Sequence, residues 1–269
     1  MSSPNRPAFP SATQAVLLYL ALFLCELVVG SALRDANRLF GLSTMQIGVL
    51  SSVLGNGLVF AMVMHSQRLG WRELFHPSPN SARATLLLVV PPALLLVPAL
   101  MVAITSALDL LTRAMPLSPW EEAMFSRMAD GSVAAVLAVC VMAPMLEEML
   151  FRGIVLRGFL GRYARWQAIL MSALLFGAAH MNIYQFLVGV AMGTVLGWLY
   201  ERTRSLIPCI ALHAAYNGTT LLLADWLDGA SPAGVLSFML LAGSAALSGG
   251  IALRRMLAAP SHRRPRHRR

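Results

Sequence analysis

Apolar residues fall in eight runs separated by short polar segments. They are Gln14–Leu33, Leu42–Met64, Ala84–Leu111, Ser132–Leu150, Trp166–His180, Tyr184–Tyr200, Ser205–Leu223 and Ala233–Leu253. A helix of about 17–25 apolar residues crosses a hydrocarbon layer, because it satisfies its own backbone hydrogen bonds. Lipid-spanning strands would instead show as short alternating segments. The pattern predicts an all-α polytopic membrane protein with about eight transmembrane helices. The fifth and sixth runs are the shortest, with only a few residues between them. The third carries Pro91, Pro92 and Pro98. Each removes a backbone donor, so this helix is predicted to be kinked. The first run is read as a retained helix rather than a signal peptide: only Arg6 precedes it, and its apolar stretch exceeds the usual ~7–15 residues.

Composition agrees. Hydrophobic residues make up 57% of the chain and charged residues 12%, against about 25% charged in soluble domains. All 21 basic residues are Arg, a bias expected of a GC-rich bacterial genome. Their placement orients the chain. With both termini in the cytoplasm, 17 arginines lie on the cytoplasmic side and only Arg34, Arg38, Arg113 and Arg127 on the other, as the positive-inside rule requires. This predicts an integral protein of a bacterial inner membrane with cytoplasmic N- and C-termini. The tail from His262 to Arg269 supplies most of the net charge of +9. It reads as a disordered topology determinant or a contact for anionic lipid headgroups. Nucleic acid is not an expected partner. Cys25, Cys140 and Cys209 lie in apolar runs without ligand spacing and read as small core residues.

No linker separates domains. A single membrane domain is expected, with helices 1–3 and their loops in 1–131, a catalytic core in 132–225 and a last helix with the basic tail in 226–269. The loop Thr112–Gly131 holds an acid pair, Glu121-Glu122, read as a solvated face. Gly189, Gly193 and Gly197 recur every fourth position in the sixth run. That spacing lets backbones approach closely and predicts a packing seam, with a dimerisation face as the alternative.

Ionisable groups inside apolar runs carry the candidate chemistry. A charge near the bilayer centre costs on the order of 3 kcal/mol on insertion scales, so such groups are rare, paired and functional. Glu147 and Glu148 stand together within the apolar stretch Val133–Phe151, and Arg152 follows. Glu148 and Arg152, four apart, share a helix face and can neutralise each other. Glu147 points about 100° away and is left without a local partner, as suits a general base. Downstream, Phe176 and His180 share one face, and His213 and Asn217 another, each across small residues. Asn217 can donate to an oxyanion. The imidazoles can hold a water against Glu147 or bind a metal. Each histidine taken alone could equally be a satisfied core residue, and ion or proton translocation is a competing use of the same groups.

The three elements E-E-x-x-x-R, F-x-x-x-H and H-x-x-x-N, in order on successive apolar segments, resemble the CPBP intramembrane proteases, or ABI family. That family includes CAAX prenyl endopeptidases and bacteriocin-processing or self-immunity proteins. The likeness covers roughly Ser132–Leu223, and flanking text agrees: Ala-Pro before the acid pair, Phe-Arg-Gly after it, and Ser205-Leu206-Ile207-Pro208 ahead of His213. It implies a CAAX-protease-like helical bundle with its active site inside the bilayer. The implied activity is an intramembrane endopeptidase of glutamic or metal-dependent type. Glu147 and His180 would then activate water, and His213 and Asn217 would form the oxyanion side. Glu148, Arg152 and Phe176 would support them. Either no cofactor or a divalent metal such as zinc, held by Glu147, His180 and His213, fits the resemblance. The expected partners are membrane lipids and a membrane-associated peptide or protein substrate, prenylated or not. A non-catalytic scaffold or immunity-type protein is the alternative. A proton-coupled transporter is a further one, against which no internal repeat is evident.

Depth sets a condition. Straight helices ending where the runs end would hold Glu147 and His180 roughly 13 Å apart across the bilayer. They can meet if the fourth helix continues to about Leu160. They can also meet if the fifth starts below the membrane and Met181-Asn182-Ile183 lies inside the protein.

Overall fold

A computed structural model describes residues 8–128 and 131–258, apart from the side chains of residues 128 and 224–228. The basic tail from His262 onward, and Arg6, lie outside the described residues. Eleven helices and no strand are present among those described. They are α1 (Ala12–Phe40), α2 (Thr44–Gln67), α3 (Trp71–Phe75), α4 (Ala82–Leu94), α5 (Val97–Ala114), α6 (Pro119–Met128), α7 (Val133–Leu160), α8 (Arg165–Ala178), α9 (Ile183–Thr203), α10 (Ile207–Gly229) and α11 (Pro232–Met256).

The eight apolar runs all appear as helices. Six are long and apolar enough to cross a membrane: α1, α2, α5, α7, α9 and α11. Ala82–Leu94 and Ile207–Leu223 are shorter apolar helices, and α8 has 14 residues. The third run is broken, as its prolines predict, at Leu95 and Leu96 between α4 and α5. α1 and α2 pair as one antiparallel hairpin and α8 and α9 as another, while α10 packs on α7 and α11 on α4 and α5.

Helix α7 determines where the acids lie. It runs unbroken for 28 residues, longer than a level crossing needs. Glu147 is therefore its fifteenth residue rather than one near its end. Helix α8 ends at Ala178, only about 21 Å along its axis, which is shorter than a level crossing of the hydrocarbon layer. The longer fourth helix is the arrangement found. The other, with Met181-Asn182-Ile183 inside the protein, is not: Met181 and Ile183 are exposed.

Two stretches of α7, Ala138–Met142 and Met149–Leu156, are wound as π-helix, as is Thr85–Val89 in α4. Proline accounts for two of them. Pro91 and Pro144 each lie two residues past the end of such a stretch. Val90 and Ala143 close the last i→i−5 bonds, onto Thr85 and Ala138. The prolines that follow have no N–H to continue the ladder. In α7 the acceptor left over in that register is the Val139 carbonyl, and Asn217 Nδ2 donates to it at 2.9 Å. The Ala-Pro pair ahead of the acids thus creates a carbonyl that draws α10 against α7.

The glycine run forms the packing seam predicted for it. A Cβ on Gly189 would lie 2.7 Å from the Gly177 Cα, and one on Gly193 2.9 Å from the Ala173 Cα. Both obstacles are backbone, so α8 and α9 cannot hold their separation with larger residues there. The seam brings Phe176 and His180 against the face of α9 that receives Arg152. Of the three cysteines, Cys209 is buried and Cys25 and Cys140 half-buried, and all three are free.

Replacing Gly189 with Leu is expected to destabilise the α8–α9 hairpin by at least ~1–3 kcal/mol, the usual range for overpacking. A lower midpoint of thermal unfolding in detergent, against an unchanged midpoint for the open position Gly243→Leu, would check it.

Candidate active site

Glu148 is fully buried. Its Oε1 accepts from Arg152 Nη1 at 2.7 Å and from His213 Nδ1 at 2.8 Å. Arg152 is 1% exposed, donates Nη2 to the Gly193 carbonyl at 3.3 Å, and sets its guanidinium 4.5 Å from the centre of the Phe176 ring. The i,i+4 pairing expected from the sequence is thus present. The pairing of Glu148 with His213 was not legible, because it joins α7 to α10 across 65 residues.

Glu147 is held differently. Its side chain keeps 30% of its surface exposed, against none for Glu148, so it is the acid open to water. It faces His213 Nε2 at 3.7 Å, too long for a direct hydrogen bond and a spacing a water can bridge. Glu147, Phe176 and His180 line both of two adjoining cavities, of about 350 and 440 Å³. His213 and Asn217 line the second. Every residue proposed from the three motifs for direct chemistry therefore borders one chamber.

Backbone contacts choose the imidazole tautomers. His180 Nδ1 lies 2.9 Å from the Phe176 carbonyl, an acceptor only, so Nδ1 carries the proton and Nε2 is left as an acceptor. His213 Nδ1 likewise donates to Glu148. Phe176 buttresses both rings edge-on, with centroids 5.2 Å from His180 and 5.8 Å from His213, and packs on Phe151 at 5.0 Å. It is the wedge that spaces the two imidazoles. Asn217 uses one amide hydrogen on Val139 and has a second to give.

Among the described residues no three His, Cys, Asp or Glu side chains converge on one ion position.

Two features escaped the sequence reading. Glu26 and Tyr19 of α1, with Asn56 of α2, line the first cavity opposite Glu147. Tyr19 also donates to the Ala179 carbonyl at 2.8 Å, beside His180. An acid inside the first apolar run was a visible signal, passed over because it sits far from the motifs. Glu121 was read as a solvated face, yet it accepts from Asn182 Nδ2 at 2.9 Å and fastens α6 to the start of α9. Its carboxyl is held below the usual range, chiefly by the Ser118 hydroxyl and amide and further by Asn182.

Comparison with known proteins finds a similarity over the segment that holds the motifs. Residues 129–219 match the model for "Type II CAAX prenyl endopeptidase Rce1-like". An Escherichia coli protein described as "Uncharacterized 24.3 kDa protein" is 36% identical over 118 residues, 40% of this chain and 52% of that one. The Bacillus subtilis (strain 168) protein named "Putative membrane peptidase YdiL" is 29% identical over 82 residues, 30% of this chain and 34% of that one. The chain thus spans about half or less of the length of these curated relatives. No solved structure matches it. The matched segment contains the acid pair, both histidines and Asn217, so residues 129–219 are similar to the Rce1-like type II CAAX prenyl endopeptidases over the stretch that holds all three motifs.

Proposed function

We propose that the protein is an intramembrane endopeptidase that hydrolyses a peptide bond of a membrane-associated peptide or protein, with water activated by Glu147 and His180. The observation that carries this reading is the contrast between two adjacent acids. Glu148 is buried and bound through Oε1 to Arg152 and His213, while Glu147 keeps 30% of its side chain exposed and lines a chamber shared with both imidazoles.

Glu147 takes a proton from the water as the oxygen attacks the peptide carbonyl carbon. His180, with Nδ1 tied to the Phe176 carbonyl, accepts the water's second hydrogen bond at Nε2 and aims its lone pair. Charge then develops on the carbonyl oxygen. The free amide hydrogen of Asn217 donates to it, and His213, its Nδ1 held by Glu148, borders the same side of the chamber. Donors fixed before the reaction do most to stabilise such an oxyanion in a low-dielectric site. Collapse of the tetrahedral intermediate passes the proton from Glu147 to the leaving amine.

A bacterial inner membrane with both termini cytoplasmic is the matching location. The arginine bias supports it, and so do contacts that gather the expected cytoplasmic segments at one end of the bundle. The Ala12 amide donates to the Tyr163 hydroxyl, Arg157 donates to the Glu73 carbonyl, and the Leu206 amide donates to the Phe75 carbonyl. At the other end Tyr184 donates to the Met115 carbonyl and Asn182 to Glu121. A pure scaffold accounts for the buried Glu148–Arg152 pair but not for a second, partly exposed carboxylate lining a cavity.

Glu147→Gln is expected to lower cleavage by about 10²–10⁴-fold, the usual contribution of a general base, with insertion and folding retained. Proteomics of peptide termini in host membranes, wild type against variant, reads this directly; identical sets of termini would refute the peptidase. Arg152→Met is expected to destabilise the protein by about 3–5 kcal/mol, since it leaves a buried carboxylate without its cation. The double variant Glu148→Gln/Arg152→Met should recover part of that loss in detergent unfolding.

A further inference from the structure

Glu26 stands opposite the proposed catalytic acid. It lies mid-way along α1, is half-buried, and lines the 350 Å³ lobe together with Glu147 and His180. Its position is fixed from α2. Gly55 lets the two helices touch there: a Cβ on that residue would fall 2.6 Å from the Glu26 Cγ and 3.2 Å from its amide nitrogen. The next residue, Asn56, donates Nδ2 to Glu26 Oε1 at 3.0 Å and to the Ser52 carbonyl at 2.9 Å. The carboxylate is thereby presented in one orientation.

A third cavity, of about 380 Å³, shares Glu26, Gly48 and Ser52 with the first and continues past Arg34 and Thr44 toward the turn between α1 and α2. Glu26 therefore occupies the neck between an outer vestibule and the catalytic lobe. Within the lining of the first lobe the charges are one-sided, while Arg34 lies outside it in the vestibule and His213 borders the second lobe. Glu147 is open to the chamber, whereas the nearby cation, Arg152, is 1% exposed and committed to Glu148. Among the residues lining the first lobe no Arg occurs. A peptide entering by this route meets a fixed carboxylate in a low-dielectric neck, where an opposite charge is strongly favoured and a like charge repelled.

We infer that Glu26 is a specificity-determining residue that selects peptides with a basic side chain, Lys or Arg, close to the scissile bond. This rests on the peptidase reading. Removing the charge should erase a preference rather than abolish chemistry, and reversing it should reverse the preference.

The test uses the full-length protein in detergent. The probe is a library of peptides made from a bacterial proteome by cleavage after glutamate, which leaves Lys and Arg internal. Mass spectrometry of new termini gives the ratio of Lys/Arg to Asp/Glu at each position flanking the cut. The wild type should favour Lys/Arg at one position. Glu26→Gln, which keeps an acceptor for Asn56, should reduce that ratio about tenfold, the scale of a hydrogen bond to a charged group. Glu26→Arg should turn it toward Asp/Glu. An equal ratio for wild type and Glu26→Gln, or no basic preference in the wild type, overturns the inference and leaves the peptidase intact. A role confined to helix packing would lower the unfolding midpoint without moving the ratio, and that result also overturns it. Absence of new termini with the wild type overturns both readings.

Discussion

A buried ion pair organises this bundle. Glu148 and Arg152 are withdrawn from water almost completely, and neither can be left alone in a low-dielectric interior. Beyond their own contact, each engages different neighbours: His213 on α10 for the carboxylate, the Gly193 carbonyl on α9 and the Phe176 ring on α8 for the guanidinium. One pair on α7 thus draws in three other helices. Those helices bring the residues that border the chamber, so the demand for charge compensation and the assembly of the candidate site have a single cause. The adjacent Glu147, one residue and about 100° away, approaches this network through His213 Nε2 at 3.7 Å and keeps part of its side chain exposed.

The backbone of α7 cooperates. Its π-helical stretches bracket the acid pair on both sides. Such stretches leave carbonyls for side chains to satisfy, and they recur at functional sites. Here Asn217 takes the Val139 carbonyl and Ser172 donates to the Phe151 carbonyl at 3.1 Å. Two irregularities in one helix are therefore stitched to α10 and α8. The tight seam of Gly177 against Gly189 allows the α8 stitch to reach.

Much of this was legible in the sequence. Apolar runs revealed the helices because lipid leaves the backbone no other way to satisfy itself, and the i,i+4 rule paired Glu148 with Arg152. The prolines at 91, 92 and 98 marked a break that the structure places at Leu95 and Leu96. What stayed hidden was whatever depends on residues far apart in the chain. The His213–Glu148 bond, the Asn217–Val139 bond and the approach of Glu26 to the chamber arise from packing, which no local period records. The reach of α7 to Leu160 was visible only as a condition the two-motif site had to meet. The π turns were missed because a 3.6-residue period was assumed throughout.

The brevity of α8 bears on the surrounding bilayer. Trp166, Leu170 and Leu174 lie one turn apart and are each about half exposed, at 51%, 47% and 49%, so this rod turns an apolar stripe outward along a length of about 21 Å. Acyl chains of ordinary thickness, about 30 Å, overshoot such a stripe, and they adapt by compressing beside it. A rod of this length therefore favours a thin hydrocarbon layer at its own flank, so the fold carries a built-in demand on the lipid that surrounds it.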